Sequence, residues 1–175
     1  MKDEISIKQE EQSDKIYAVM NRFNKDFTRL GYAFDDDYLK SYSKKILSKG
    51  IFVTANYKES IVGFFCGYLN PKEKCAYISF LAVKDSMGIL KGFTLMKLLK
   101  AGMDIMKENG IVHARLEVRS DNEKARKLYE KLGFFYGEPA SENSIFMNIE
   151  YSEFEKAMDS LLKQSHRRMK GRICS

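Results

Sequence analysis

Tryptophan is absent from this 175-residue chain, and proline, histidine and cysteine number two, two and three. So few prolines, with eleven glycines, exclude collagen-like and Pro/Gly-rich low-complexity sequences. The aromatics that remain, 13% of residues, supply the large apolar side chains that a disordered chain lacks. Cys66, Cys75 and Cys174 make no CxxC pair and no zinc-ligand spacing. His113 and His166 share no motif with any of them, so neither a thiol–imidazole pair nor a metal site is expected. Cys66, inside the apolar run IVGFFCGYL, reads as a small buried hydrophobe. That run is nine residues long, well short of the ~20 that span a bilayer. The opening stretch, MKDEISIKQEEQSDK, is acidic and polar, unlike a secretory signal or a transit peptide, so a cytoplasmic protein is expected.

The net charge is +6. Five of those charges sit in residues 163–175, as Lys163, Arg167, Arg168, Lys170 and Arg172 with no acid among them. The excess belongs to a tail and not to a basic face of the whole chain. Three readings stay open for it: a solvated helix end, cations placed at a helix C-terminus, and contact with nucleic acid or the ribosome. The lack of interleaved aromatics counts against the last.

Hydrophobic periodicity sets the element order. ISIKQ (5–9) alternates as a short strand does. Ser13-Asp14 is positioned to cap a helix carrying Ile16, Val19, Met20, Phe23 and Phe27, with Gly31 near its end. A second helix is expected over 36–48, with Tyr38, Leu39, Tyr42 and Ile46 apolar and Gly50 following. IFVTANY, SIVGFFCGYL and CAYISFLAV then read as an antiparallel meander. The helical period returns over 92–109, with Leu95, Leu98, Leu99, Gly102 and Met106 on one stripe, and IVHARLEV is the next strand. Ser120-Asp121-Asn122-Glu123 fits a capping box for a helix through Ala125, Leu128, Tyr129 and Leu132, closed by Gly133. FFYGEP and SIFMNIEY are two last strands, and a terminal helix is expected from Ser152 to about Met169. The order βααβββαβαββ plus a C-terminal helix defines an α/β (α+β) class. A β-helix-β crossover and a meander together give a mixed, mostly antiparallel twisted sheet with helices on both faces. One domain is expected over 1–151, with the helix and basic tail of 152–175 appended to it.

The stretch LEVRSDNEKARKLYEKLGF (116–134) is the most informative. Leu116, Glu117, Val118, Arg119, Asn122, Ala125, Leu128, Tyr129, Gly133 and Phe134 together resemble the C-terminal half of the GNAT superfamily of acetyl-CoA-dependent N-acetyltransferases. They resemble most its branch that acetylates ribosomal-protein N-terminal alanine. The resemblance implies that Glu117 is the base that takes a proton from the attacking amine and that Tyr129 protonates the leaving thiolate. The spacing agrees: Asn122 and Tyr129 are two helical turns apart and share a face, which Arg126 adjoins. With reference pKa values of about 10 and 8.5, transfer from tyrosine to a thiolate is uphill by only about 2 kcal/mol. Tyr129 as a plain core aromatic, and Glu117 as a partner of Arg115 or Arg119 on its own strand face, remain open.

The family's cofactor loop runs Arg or Gln, two residues, Gly, one residue, then Gly or Ala, and holds a pyrophosphate on backbone N–H groups and a helix N-terminus. The text here is LAVKDSMGILKGFTL, and two registers compete. Ile89-Leu90-Lys91-Gly92-Phe93-Thr94 lacks the basic start and the last glycine. Met87-Gly88-Ile89-Leu90-Lys91-Gly92 lacks the central glycine. In either, Lys91 can supply positive charge. By the same resemblance, Leu81, Ala82 and Val83 pair with the pantetheine arm like an added strand, and Asn122 holds that arm or the helix start. The expected function is acetyl transfer from acetyl-CoA to a primary amine, either a protein N-terminus or a small molecule, by a metal-free monomer or homodimer. The alternative is a degenerate relative that binds CoA or a protein partner without turnover.

Overall fold

The computed structural model describes the backbone of residues 4–29 and 34–173, and their side chains except at 29, 162 and 164–173. Gly31, Cys174 and the tail side chains beyond Lys163 lie outside the described residues. Among the described residues, seven strands and five α-helices divide between two compact units, Met1–Ile111 and Val112–Ser175. This is the α/β class expected, and within each unit all strand neighbours pair antiparallel.

The first unit holds β1 (Ile5–Gln9), α1 (Ser13–Arg29), α2 (Asp36–Lys49), β2 (Gly50–Tyr57), β3 (Ser60–Asn70), β4 (Cys75–Val83) and α3 (Lys91–Glu108). Its strands pair in chain order. The period-2 alternation of β3 sorts the helices onto opposite faces. Phe64 and Cys66 join Ile16, Met20, Phe23, Leu39 and Ile46 in one core under α1 and α2. Gly63, Phe65 and Gly67 point the other way, where they meet Leu98, Gly102 and Met106 of α3. A Cβ on Gly102 would lie 2.3 Å from the Phe65 ring, so only glycine lets α3 seat this closely.

The second unit holds β5 (His113–Arg119), α4 (Glu123–Lys131), β6 (Phe135–Ser141), β7 (Ser144–Glu150) and α5 (Tyr151–Ile173). β7 lies between β5 and β6. Gly133 is left-handed (φ 92°), as its place after α4 requires.

Several local expectations change. α1 starts on Ser13 itself, with the Ile16 N–H bonded to the Gln12 carbonyl, so Ser13-Asp14 form its first turn and not its cap. Tyr38, expected in the core stripe of α2, is 43% exposed. Gly50 is extended and opens β2, where the Gly67 carbonyl leaves no room for a Cβ. The Ser120–Glu123 capping box does not form. The Ser120 N–H bonds the Asn143 carbonyl, and the chain makes one more turn before Asn122 caps α4 by accepting from Ala125 N–H at 3.1 Å. α5 begins at Tyr151 and its backbone continues to Ile173.

Candidate active site

β4 carries the first group of candidates. Its register with β3 pairs Phe64 with Ala82 and Gly63 with Val83, and the Lys84 N–H bonds the Val62 carbonyl at 2.8 Å. Antiparallel ladders alternate, so the Ala82 N–H also faces β3, whereas those of Leu81 and Val83 point away from it. These outward N–H groups are donors of the kind that a thioester arm or a developing oxyanion takes. Leu81 and Ala82 are half-buried and Val83 is buried.

Beyond β4 a 3-10 turn, Asp85–Leu90, leads into α3. Gly88 bends it with φ 50° and ψ −121°, and Lys91 begins the helix. Gly92 is the second helical residue, where backbone N–H groups have no partner within the helix. A Cβ at Gly88 or Gly92 would meet nothing within 4 Å. This open cradle at a helix N-terminus fits a pyrophosphate on backbone donors. Ile89 is 91% exposed, Phe93 is half-buried, and Leu90 and Met87 are buried. Thr94 is fully buried and its hydroxyl donates to the Leu90 carbonyl at 2.8 Å, so it secures the helix start and is not free for a ligand. The Lys91 ammonium pairs with Asp85, a competitor for any phosphate that the sequence reading overlooked.

In the second unit, Glu117 is an exposed residue of β5 and accepts from the Ser144 hydroxyl at 2.5 Å, which also lies 2.7 Å from Ser141 Oγ. Of the arginines flanking Glu117, Arg115 pairs with Glu138 and lies 3.8 Å over the Phe146 ring, and Arg119 forks onto Asp121 at 2.7–3.0 Å. Arg119 in turn draws the Asp121 carboxyl below its ordinary pKa. Ser144 is a partner no spacing rule revealed, because it reaches Glu117 across the β5–β7 ladder.

Asn122 is exposed, with its side-chain carbonyl engaged as the cap of α4. Arg126 is half-buried, and its Nε is buried without a partner among the described residues. The half-buried Tyr129 packs its ring 5.3 Å from that of Phe134. Its hydroxyl has no hydrogen-bond partner among the described residues, and burial pushes its pKa up to about 12. Cys66 is fully buried, with its thiol pushed up to about 12, and so is no nucleophile at neutral pH. Among the described residues, no group of three His, Cys, Asp or Glu side chains could hold a metal ion, and no helix is long and apolar enough to cross a membrane.

Within the first unit, a strand with outward N–H groups followed by a glycine-opened helix start is the kind of cradle that suits a nucleotide phosphate and its arm. The sequence profile of the acetyltransferase (GNAT) family matches residues 16–134, and the chain belongs to that family. Its reaction class is acetyl transfer and its co-substrate is acetyl-CoA. Solved structures share the fold at low identity. Ard1 from Thermoplasma volcanium superposes with a TM-score of 0.69 at 22% identity, over 84% of this chain and 97% of that one. The PaiA N-acetyltransferase of Thermoplasma acidophilum, in complex with coenzyme A, gives 0.62 at 21%, over 83% and 99%. The ribosomal-protein-S18-alanine N-acetyltransferase of Escherichia coli gives 0.66 at 18%, over 84% and 94%. No curated protein matches the chain in sequence.

Proposed function

We propose that the chain is an N-acetyltransferase that moves an acetyl group from acetyl-CoA to a primary amine by direct attack in a ternary complex. The observation that carries this reading is the open first turn of α3, where Gly92 borders empty space instead of packing. The backbone of that turn, with Lys91, holds the pyrophosphate, and Leu81–Val83 hold the pantetheine arm. Acetyl-CoA supplies the activated thioester. Glu117, directly or through a water, takes the proton that the amine loses as its nitrogen bonds to the carbonyl carbon. The Val83 N–H steadies the negative charge that develops on the carbonyl oxygen. As the carbon–sulfur bond breaks, Tyr129 gives its proton to the departing sulfur, leaving CoA and an N-acetylated amine. An unengaged hydroxyl supports that role, because a hydrogen-bonded phenol would first have to release its partner.

The Lys91–Asp85 pair favours a second reading, a relative that binds CoA weakly and turns nothing over. Thiol release from acetyl-CoA against a panel of peptides, polyamines and aminoglycosides separates the two. Transfer to any amine supports the enzyme, and CoA binding without transfer to any of them supports the relative. Tyr129→Phe is expected to lower turnover at least tenfold while acetyl-CoA affinity stays within a few-fold. Unchanged turnover would remove Tyr129 from the acid role.

A further inference from the structure

Five aromatic rings of the first unit, Phe34 just ahead of α2 and the others from α2, β3 and β4, form one continuous wall. Phe34 stacks on Tyr38 at 4.9 Å, and Tyr38 lies 5.9 Å from Tyr42, one helical turn on. Tyr42 in turn is 5.8 Å from both Tyr68 of β3 and Phe80 of β4, and Phe34 closes the ring onto Phe80 at 5.7 Å. A hydrophobic core needs no three phenols side by side, yet Tyr38, Tyr42 and Tyr68 bring their hydroxyls close enough to influence one another and Cys66. The Tyr42 hydroxyl lies 3.4 Å from Cys66 Sγ.

Ser79 adds a second irregularity. Cys66 pairs with Phe80 and Gly67 with Ile78, so Ser79 is the extra residue of a β-bulge. The bulge turns its hydroxyl to the Tyr42 side, where it is buried without a hydrogen bond of normal geometry. Buried hydroxyls are rarely left so. The wall is reachable from solvent, because Tyr38 is 43% exposed and Phe34, Tyr68 and Phe80 are only half-buried.

The ring faces of the wall can take a cation. The Lys45 ammonium already lies 4.9 Å over the Tyr68 ring, on the attractive face of the aromatic quadrupole. Of the three aspartates that open α2, Asp35 caps the helix and Asp36 is held by Tyr17 and Lys40. Asp37, next to Tyr38 in the chain, is exposed and makes no ion pair among the described residues, although its charge is felt by Lys40. Phe80 directly precedes Leu81–Val83, the segment assigned above to the thioester arm.

We propose that the Phe34–Tyr38–Tyr42–Tyr68–Phe80 wall, with Ser79 at its base, is the acceptor subsite, and that it selects a primary ammonium carried beside an apolar or aromatic group. The inference rests on the acetyl-transfer reading. Phenol and serine oxygens accept from the ammonium, the rings pack on the neighbouring apolar group, and Asp37 attracts the cation. A single exposed carboxylate and a wall of carbon give a polyamine or an aminoglycoside no partners for its further charges and hydroxyls. Such unpaired polar groups are what a site rejects most strongly.

The test compares kcat/KM by thiol release for arylalkylamines, for peptides with N-terminal Phe, Leu, Ala or Ser, and for spermidine and an aminoglycoside. The apolar amines are expected to exceed the polycations by about tenfold or more. Preference for the small amines or for the peptides tells which source the subsite serves. Tyr38→Ala, Tyr68→Phe and Ser79→Ala are then compared with the parent chain for acetyl-CoA affinity and thermal unfolding. At least one folded variant is expected to raise KM for the preferred amine five- to tenfold, with kcat and acetyl-CoA affinity within threefold. Preference for polycations, or KM values unmoved in every folded variant while acetyl transfer proceeds, would overturn the subsite alone. Absence of transfer to any amine would overturn the acetyltransferase reading and this inference with it.

Discussion

Tyr129 sits where two demands on one hydroxyl conflict. Its burial raises the pKa to about 12, roughly 3.5 units above a reference thiol, so handing its proton to a free thiolate costs about 5 kcal/mol instead of the 2 that ordinary values give. The same burial raises the pKa of any thiolate formed beside it, which narrows the gap. It also keeps the phenol protonated. A group that must donate loses nothing as pH rises until its own pKa is reached, so kcat/KM should climb as the amine and its base deprotonate and then stay level to about pH 11. A falling limb near pH 9–10, absent in Tyr129→Phe, would show the phenol titrating at its ordinary value. As the proposed base, Glu117 would act on the opposite limb. Glu117→Gln is expected to cost the most below pH 8, where the amine carries its proton, and least above pH 10; a profile of unchanged shape would remove Glu117 as base. Ser144, donating to that carboxylate, orients it.

At the scale of elements, the glycines of α3 separate packing from function. Gly102→Ala drives a methyl into the buried Phe65 ring, and overpacking of about 1–3 kcal/mol outweighs the helix-propensity gain of about 1 kcal/mol, so the melting temperature should fall. Gly92→Ala meets open space and should leave stability equal or higher, while acetyl-CoA affinity drops because the methyl occupies the cradle. Calorimetry and thermal unfolding on both variants read these opposite outcomes. The Asp85–Lys91 pair ties the 3-10 turn to the start of the same helix. Asp85→Asn is expected to tighten CoA binding two- to fivefold at low salt, since an exposed pair is worth only about 0–1 kcal/mol. Weaker binding would mean that Asp85 serves to shape the turn. Apolar spacing made the strands and long helices legible, because burial on one face leaves a period that needs no tertiary knowledge. The motif at 116–134 brought Glu117, Asn122 and Tyr129 with it. What stayed hidden depends on contacts distant in the chain. The Asn143 carbonyl takes the Ser120 N–H and moves the cap to Asn122; Ser144 meets Glu117 across a ladder; Ser79 is left over by a register shift. Tyr38 follows the α2 period yet faces solvent, as a wall that meets a ligand would.

Over the whole chain, the net charge is concentrated in the tail. Five of six net positive charges lie in residues 163–175, which leaves the remainder close to neutral, so long-range attraction of an anion by the body of the protein is weak. If acetyl-CoA, itself multiply anionic, is bound as proposed through local donors at α3 and not through a basic face, its affinity should depend only mildly on salt. Nucleic acid would instead sense the tail. If all five cations met phosphates, the salt slope would be about −4.5, a loss of several hundredfold in affinity between 50 and 200 mM. Binding to duplex DNA or RNA is therefore expected to be weak, non-specific and gone at the higher salt. Replacing Lys163, Arg167, Arg168, Lys170 and Arg172 with glutamine should abolish what binding there is at 50 mM, while acetyl-CoA turnover on a small amine stays within twofold. Nucleic-acid affinity that persists at 200 mM salt, or that survives the five substitutions, would move the contact onto the body of the protein and require a basic surface that its near-neutral composition does not provide.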